Sequence, residues 1–446
     1  MRIKFLLLVL VLGSAFAKAQ EAKRLTLEEA VHLALNNSDA AKIADSKVTT
    51  AEGQLNVTKN LQYPDVNLSG QYRYLTGANV KLKIPLNSSN HGNDGAPQTA
   101  SQPDVNSILL GQANVTLPVF SGFKLKNTIN ASENQYKAAQ YNARNDKEQI
   151  ALQTIQEYLD LYRTTQTIEL VEENLKSAKQ RVTDFSNMEE NGLLAKNDLL
   201  KAKLQQSNIA ISLEEAKKME RILNYKLTVM LKLPEQTIIE IEDTTFGKSI
   251  ENKSLQFLSN EYTVRNDLQA LEFQKEAAKA QIKVAQSSYY PSIALVGGYL
   301  ALDLNKLVTV TNAMNIGVGV SYNISGIFKN KSDVKLARTR AKEMEYSINM
   351  ASDKIKVEVE NARQEYELSI RKYEVYTQSQ EQAIENYRIV KDKYDNGLSN
   401  TNDLLEADVQ QLQAKIDLAN SRATISQKYF ELLTAKGVLV NQFDPQ

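Results

Sequence analysis

The stretch Asn191-Gly192-Leu193-Leu194-Ala195-Lys196-Asn197-Asp198-Leu199-Leu200-Lys201-Ala202 returns in the second half of the chain as Asn396-Gly397-Leu398-Ser399-Asn400-Thr401-Asn402-Asp403-Leu404-Leu405-Glu406-Ala407. Each copy is a Gly-centred break between two arms that hold neither Gly nor Pro: 123–191 and 193–232 in the first half, 327–396 and 398–436 in the second. The chain as a whole contains 17 Gly and 8 Pro, so their exclusion from these arms is a structural signal. Without breakers such arms form nearly continuous helices, and about 65 residues at about 1.5 Å each approach 100 Å. Apolar residues on them follow three-four spacing: Leu152, Ile155, Leu159, Tyr162; Ile355, Val359, Ala362, Tyr366; Leu405, Val409, Leu412, Ile416, Ala419. These are coiled-coil seams. A solvated coiled-coil rod explains the arms taken alone equally well.

Outward from the two breaks the duplication continues. Gln54–Leu68 (QLNVTKNLQYPDVNL) matches Gln281–Leu295 (QIKVAQSSYYPSIAL) through the Gln, the Val and the Tyr-Pro pair, and Ser121-Gly122 answers Ser325-Gly326. Each half therefore reads helix, Tyr-Pro, strand, loop, strand, Ser-Gly, very long helix, turn, long helix. The first repeat covers 20–234, with strands at about 64–75 and 108–120 and a helical hairpin at about 123–232. Pro234 stops its last helix, and 235–255 form a linker or equatorial segment. The second repeat covers 256–446, with strands at about 291–302 and 312–324 and a hairpin at about 327–436.

The strands are what a rod does not explain. Val66, Leu68, Gly70, Tyr72 and Tyr74 alternate with Asp65, Asn67, Ser69, Gln71 and Arg73; 109–119 and 314–324 alternate likewise, while 292–302 is apolar on both faces. Strands of about ten residues with one apolar and one polar face suit a transmembrane barrel. A soluble sandwich alternates too, but the chain has no further strand set to cover the apolar faces. Tyrosines at the strand ends, Tyr63, Tyr72, Tyr74, Tyr289, Tyr290, Tyr299 and Tyr322, suit an interfacial girdle. The first loop, 76–104, is long and polar as an external barrel loop is; the second, 303–311, is short. Four strands cannot enclose a lumen, and an open edge in lipid leaves backbone groups unpaired. The chain must oligomerise to span a membrane: two copies supply eight strands, three supply twelve, and only the larger ring leaves a wide pore.

Composition narrows the chemistry. Arg2 and Lys4 precede the apolar run Phe5 to Leu12 and the small-residue sites Ala15-Phe16-Ala17 and Ala17-Lys18-Ala19, so 1–19 reads as a signal peptide and the destination is beyond the inner membrane. No later stretch is apolar enough for a transmembrane helix, and the mean hydropathy is −0.40. Cysteine is absent, which removes disulfides, thiolate metal sites and thiol nucleophiles. The two histidines, His32 and His91, lie far apart, and no convergent set of catalytic or metal-binding residues is visible. Lys plus Arg equals Asp plus Glu at 53 each, interspersed, which argues against nucleic acid as a partner.

The opening Leu25-Thr26-Leu27-Glu28-Glu29-Ala30-Val31, the repeated Tyr-Pro, Leu117-Pro118-Val119-Phe120-Ser121-Gly122 and the paired Gly-x-x-x-x-x-Asp-Leu-Leu tips together resemble the TolC-like outer-membrane efflux proteins, over essentially the whole mature chain. The resemblance implies a mixed α/β membrane protein: a homotrimer with a shared twelve-stranded barrel in the outer membrane, four strands per chain, continued by a long α-helical coiled-coil barrel across the periplasm. It implies a passive exit duct of a tripartite efflux or type I secretion system, fed by an inner-membrane pump through a periplasmic adaptor, with no cofactor and no enzymatic activity. Lack of cysteine matches the unlipidated members.

By the same resemblance Gly192, Leu193, Gly397 and Leu398 are adaptor-contact tips, although Gly in a helix-to-helix turn is also explained by its freedom to take positive φ. Asp198, Asp403, Glu406, Lys201 and Tyr394 fall at the periplasmic gate. Asp403 and Glu406, three apart, share a helix face and in a trimer would form stacked carboxylate rings that favour cations. Lys201 occupies the place of Glu406 in the first half, so an ion pair between hairpins is an alternative role; simple capping of the return helices by Asp198 and Asp403 is another. Tyr394 is a latch position, and Ser399 departs from the basic gate residue of some relatives. A periplasmic coiled-coil adaptor or scaffold without a pore is the rival function; it expects a soluble protein.

Overall fold

The computed structural model describes residues 22–76, 105–242, 265–305 and 307–443. The expected signal peptide 1–19, most of the 76–104 loop with His91, and residues 243–255 of the expected linker lie outside the described residues. The chain divides into two units, one of Met1–Thr49, Ala138–Leu271 and Ser347–Gln446, the other of Thr50–Lys137 and Glu272–Tyr346.

The Gly- and Pro-free arms are helices: α3 (Lys124–Glu190, 67 residues), α4 (Lys196–Met230, 35), α6 (Gly326–Asp395, 70) and α7 (Thr401–Lys436, 36). Shorter helices precede each long pair: α1 (Leu27–Asn37) and α2 (Asp39–Asn60) come before α3, and α5 (Asn266–Gln286) lies between α4 and α6. The strands are β1 (Ala22–Leu25), β2 (Asp65–Tyr74), β3 (Ser107–Ser121), β4 (Ile238–Ile241), β5 (Ser292–Leu304) and β6 (Val308–Ser321). None of the described helices is long and apolar enough to cross a membrane.

In the unit containing 50–137 and 272–346, β2-β3-β5-β6 form one antiparallel sheet. Its register gathers the alternating residues. Leu68 pairs with Ala113, Ala113 with Tyr299 and Tyr299 with Met314, so Val66, Leu68 and Tyr72 share a face with Leu109, Val115, Leu295, Met314, Ile316 and Val318. Asn67, Gln112, Asn114 and Asn315 lie on the other face. Strand β5, apolar on both sides in sequence, contributes Leu295 and Tyr299 to the first face and Leu300 and Leu302 to the second. The first face is bare: Leu68 is 86% exposed and Ile316 93%. Among the described residues strands β2 and β6 are edges, each paired on one side only.

Two strand limits differ from expectation. β6 begins at Val308, not near 312, because a register shift between Leu300 and Leu302 absorbs Asn312, which sits at φ 58° and is held by Tyr299 Oη, and the ladder resumes with Leu302 opposite Val310. It ends at Ser321, not near 324. There the Asn323 carbonyl accepts from Gly326 N–H at 3.0 Å and turns the chain into α6.

In the other unit β1 and β4 pair in parallel, and Thr26 caps α1 by accepting from Glu29 N–H at 3.1 Å. The core there joins Leu25, Val31, Ile155, Tyr158, Leu159, Leu227, Leu231, Leu432, Leu433 and Leu439, all 2% exposed or less. Tyr158 donates its hydroxyl to the Leu25 carbonyl at 2.7 Å, which satisfies the one polar atom it buries. Two smaller clusters continue along the hairpins, one around Ile168, Leu175, Ile209 and Leu213, the other around Phe185, Leu199, Ala202 and Leu404.

Candidate gating site at the hairpin tips

Both hairpins turn in the same way. Gly192 takes φ 70° and Gly397 φ 72°. Leu193 N–H reaches back to Met188 O, and Leu398 N–H to Lys393 O, each at 2.8 Å, so the last carbonyls of α3 and α6 are satisfied across a left-handed glycine. Leu193 and Leu398, 74% and 78% exposed, stand bare beyond the turns.

The acidic residues have distinct surroundings. Asn400 caps α7 by accepting from Asp403 N–H at 3.0 Å, while the Asp403 carboxylate accepts from Ser399 Oγ and Asn400 Nδ2, each at 3.0 Å. Ser399, where a basic gate residue was in question, therefore serves the acid of its own turn. Glu406 is exposed and accepts from Gln410 at 3.2 Å. Asp198 pairs with Lys201 at 3.1 Å along the same helix, and among the described residues Lys201 makes no bridge to the other hairpin. Tyr394 stacks on Phe185 of the first hairpin with centroids 5.6 Å apart, and its buried hydroxyl has no hydrogen-bond partner among the described residues. It joins the hairpins by packing.

A polar junction that the sequence did not reveal lies deeper. Arg181 of α3 donates to Asp408 of α7 at 3.0 Å with both side chains buried, 9% and 3% exposed. Arg181 also donates to the Tyr387 hydroxyl of α6 at 3.2 Å, and Gln205 of α4 approaches the Asp408 carboxylate at 3.4 Å. All four long helices thus meet on one ion pair. Burial pulls the Arg181 pKa down, but the hydrogen bond and charge of Asp408 outweigh it and hold the guanidinium above its ordinary value. The signal was present: Asp408 interrupts the buried run Leu404, Leu405, Ala407, and Arg181 lies between the core residues Ala178 and Phe185. Among the described residues no cluster of three His, Asp or Glu side chains is arranged to hold a metal.

The family model described as outer membrane efflux protein matches residues 30–219 and 258–438. The outer membrane efflux protein BepC of Brucella suis is 22% identical over 316 residues, 65% of this chain and 68% of that protein. Among solved structures, the outer membrane protein VceC of Vibrio cholerae aligns with a TM-score of 0.75 at 18% identity, over 92% of this chain and 96% of its own. The Campylobacter jejuni CmeC outer membrane channel aligns at 0.74 with 19% identity, over 93% and 86%. With the family model covering most of the chain and the fold shared with outer-membrane channels, this protein belongs to the outer membrane efflux protein family and resides in the bacterial outer membrane.

Proposed function

We propose that three copies of this chain complete a twelve-stranded barrel and act as a passive exit duct, receiving cargo from an inner-membrane pump through a periplasmic adaptor. The observation that carries this reading is the open four-stranded sheet: a continuous bare apolar face with two unpaired edge strands has no stable environment except lipid on that face and further strands at both edges. A periplasmic scaffold without a pore has no use for such a face. Family members are channels, in keeping with a role without chemistry of its own.

At the periplasmic end Asp403 and Glu406 of three copies form the constriction. Asp403 is engaged by its own turn, so Glu406 carries the larger part of the charge preference. Leu193 and Leu398, bare beyond the left-handed Gly192 and Gly397, are the apolar contacts for the adaptor. Tyr394 and the Arg181–Asp408 junction tie the two hairpins of one chain together, and Asp198 with Lys201 trims the first tip. The test is conductance of purified protein in a planar bilayer. The reading expects discrete cation-preferring steps whose preference falls in the Asp403→Asn/Glu406→Gln double variant; steps with unaltered selectivity in that variant refute the aperture assignment.

A further inference from the structure

Where each second strand of the sheet hands over to its long helix, the chain repeats a short pattern: Phe123-Lys124-Leu125-Lys126 before α3 is under way, and Phe328-Lys329-Asn330-Lys331 at the start of α6. The match extends inward, since six residues past each Phe the helix buries an aliphatic side chain, Ile129 at 9% and Val334 at 7% exposure. The four lysines are exposed, and none of their ammonium groups meets an acid or another acceptor among the described residues. Neither helix has an acidic residue in its first turn. Cations there face the positive end of the helix dipole, so the lysines do not serve helix stability. Nor do the aromatics serve a core: Phe123 is 55% exposed and Phe328 82%.

The apolar face of the sheet leads to this place. Phe120 pairs with Ile293 on the face that holds Leu295, and its ring meets Phe123 edge-on at 5.3 Å, which in turn meets Tyr290 at 6.2 Å. Beside them a groove of about 700 Å³ is lined by Gln62, Phe120, Phe123, Lys126, Ile129 and Glu133. Apolar surface, then aromatic rings, then unpaired lysines is the order met on leaving a bilayer through its headgroups.

We infer that the two Phe-Lys-x-Lys segments form a collar that binds the anionic headgroups of the phospholipid leaflet on the periplasmic side, with Phe123 and Phe328 seated at the acyl boundary and Lys124, Lys126, Lys329 and Lys331 on the phosphates. The inference rests on the sheet spanning the membrane as proposed above. Both costs in the isolated chain, uncompensated cations and bare aromatics, are removed by the same partner.

The chain contains no tryptophan, so Phe123→Trp and Phe328→Trp each place a single reporter at the site. Each variant, full length, is reconstituted into vesicles of phosphatidylethanolamine and phosphatidylglycerol, 3:1, with either lipid brominated in turn to equal mole fraction. The collar predicts blue-shifted emission and severalfold stronger quenching by the brominated phosphatidylglycerol, a preference abolished when all four lysines are replaced by Gln. Equal quenching by the two lipids, or a preference that survives the Lys→Gln changes, overturns the headgroup assignment. Absence of quenching by either lipid places the aromatics away from the membrane and overturns the collar as a whole. Flotation of the vesicles separates the two readings: protein that floats without lipid preference defeats only the collar, while protein that stays behind defeats the membrane-spanning sheet as well.

Discussion

Arg181 and Asp408 show what a single buried charge demands. Asp408→Leu leaves the guanidinium buried without its counter-charge, and such losses cost about 3–5 kcal/mol. Thermal unfolding of the variant is expected well below the parent, with more frequent channel openings, and adding Arg181→Met should restore most of the stability because the site then becomes apolar. A double variant no better than Asp408→Leu alone would mean that the pair has no coupled role. The tip glycines make a second residue-scale case. Nothing lies within 4 Å of a Cβ on Gly397, so Gly397→Ala costs only the left-handed backbone, about 1–2 kcal/mol, whereas a Cβ on Gly437 meets Arg265 Cγ at 2.9 Å and Gly437→Ala should lower the melting temperature further. The Asn-Gly-Leu turns were legible because the backbone conformation needs glycine. The Arg181–Asp408 pair was not, since its partners are 227 positions apart and only a charge inside each apolar run hinted at it.

Among the elements, the long helices follow directly from the missing Gly and Pro, and the sheet faces from the alternation. What escaped the sequence is the parity break at Asn312: an irregular residue flips the pattern by one, so the start of β6 and the two-sided apolar character of β5 make sense only with the register in hand. The faces carry a direct prediction. Ile316→Arg puts a charge on the apolar face and should cost about 2–4 kcal/mol if it lies near mid-membrane, while Asn315→Arg on the opposite face is tolerated; the yield of folded protein in lipid vesicles reads the difference. Equal yields would contradict the assignment of the lipid face.

A pH effect belongs to the last helical elements. Glu148 of α3 is buried beneath the turn Val440–Gln442. Burial raises its pKa above the ordinary 4.5, against the N–H groups of Val440 and Leu439, which favour the charged form. A carboxyl raised in the folded state favours folding when protonated, so its contribution is complete below about 4.5 and is lost as pH climbs through the raised value. Melting temperature should therefore fall from pH 4.5 toward neutrality by a component that Glu148→Gln removes. A pH profile identical in the variant would exclude Glu148 as its source.

At the scale of the whole molecule, the family and the outer-membrane location were legible because no short motif had to stand alone: order and duplication combined several weak ones. Partners and cargo were not, since bare leucines and carboxylates such as Leu193, Leu398 and Glu406 have a chemistry compatible with many ligands. The proposed channel requires that four strands with two free edges be completed by further copies of the same chain. The absence of cysteine allows a direct test, with Tyr72→Cys on β2 combined in turn with Ile316→Cys, Val318→Cys or Val320→Cys on β6, all on the apolar face that must run unbroken between copies. Oxidation in membranes should give, for one of these pairings, a covalent ladder that ends at three chains. Monomers alone in every pairing, or a ladder that ends elsewhere, would contradict the shared barrel.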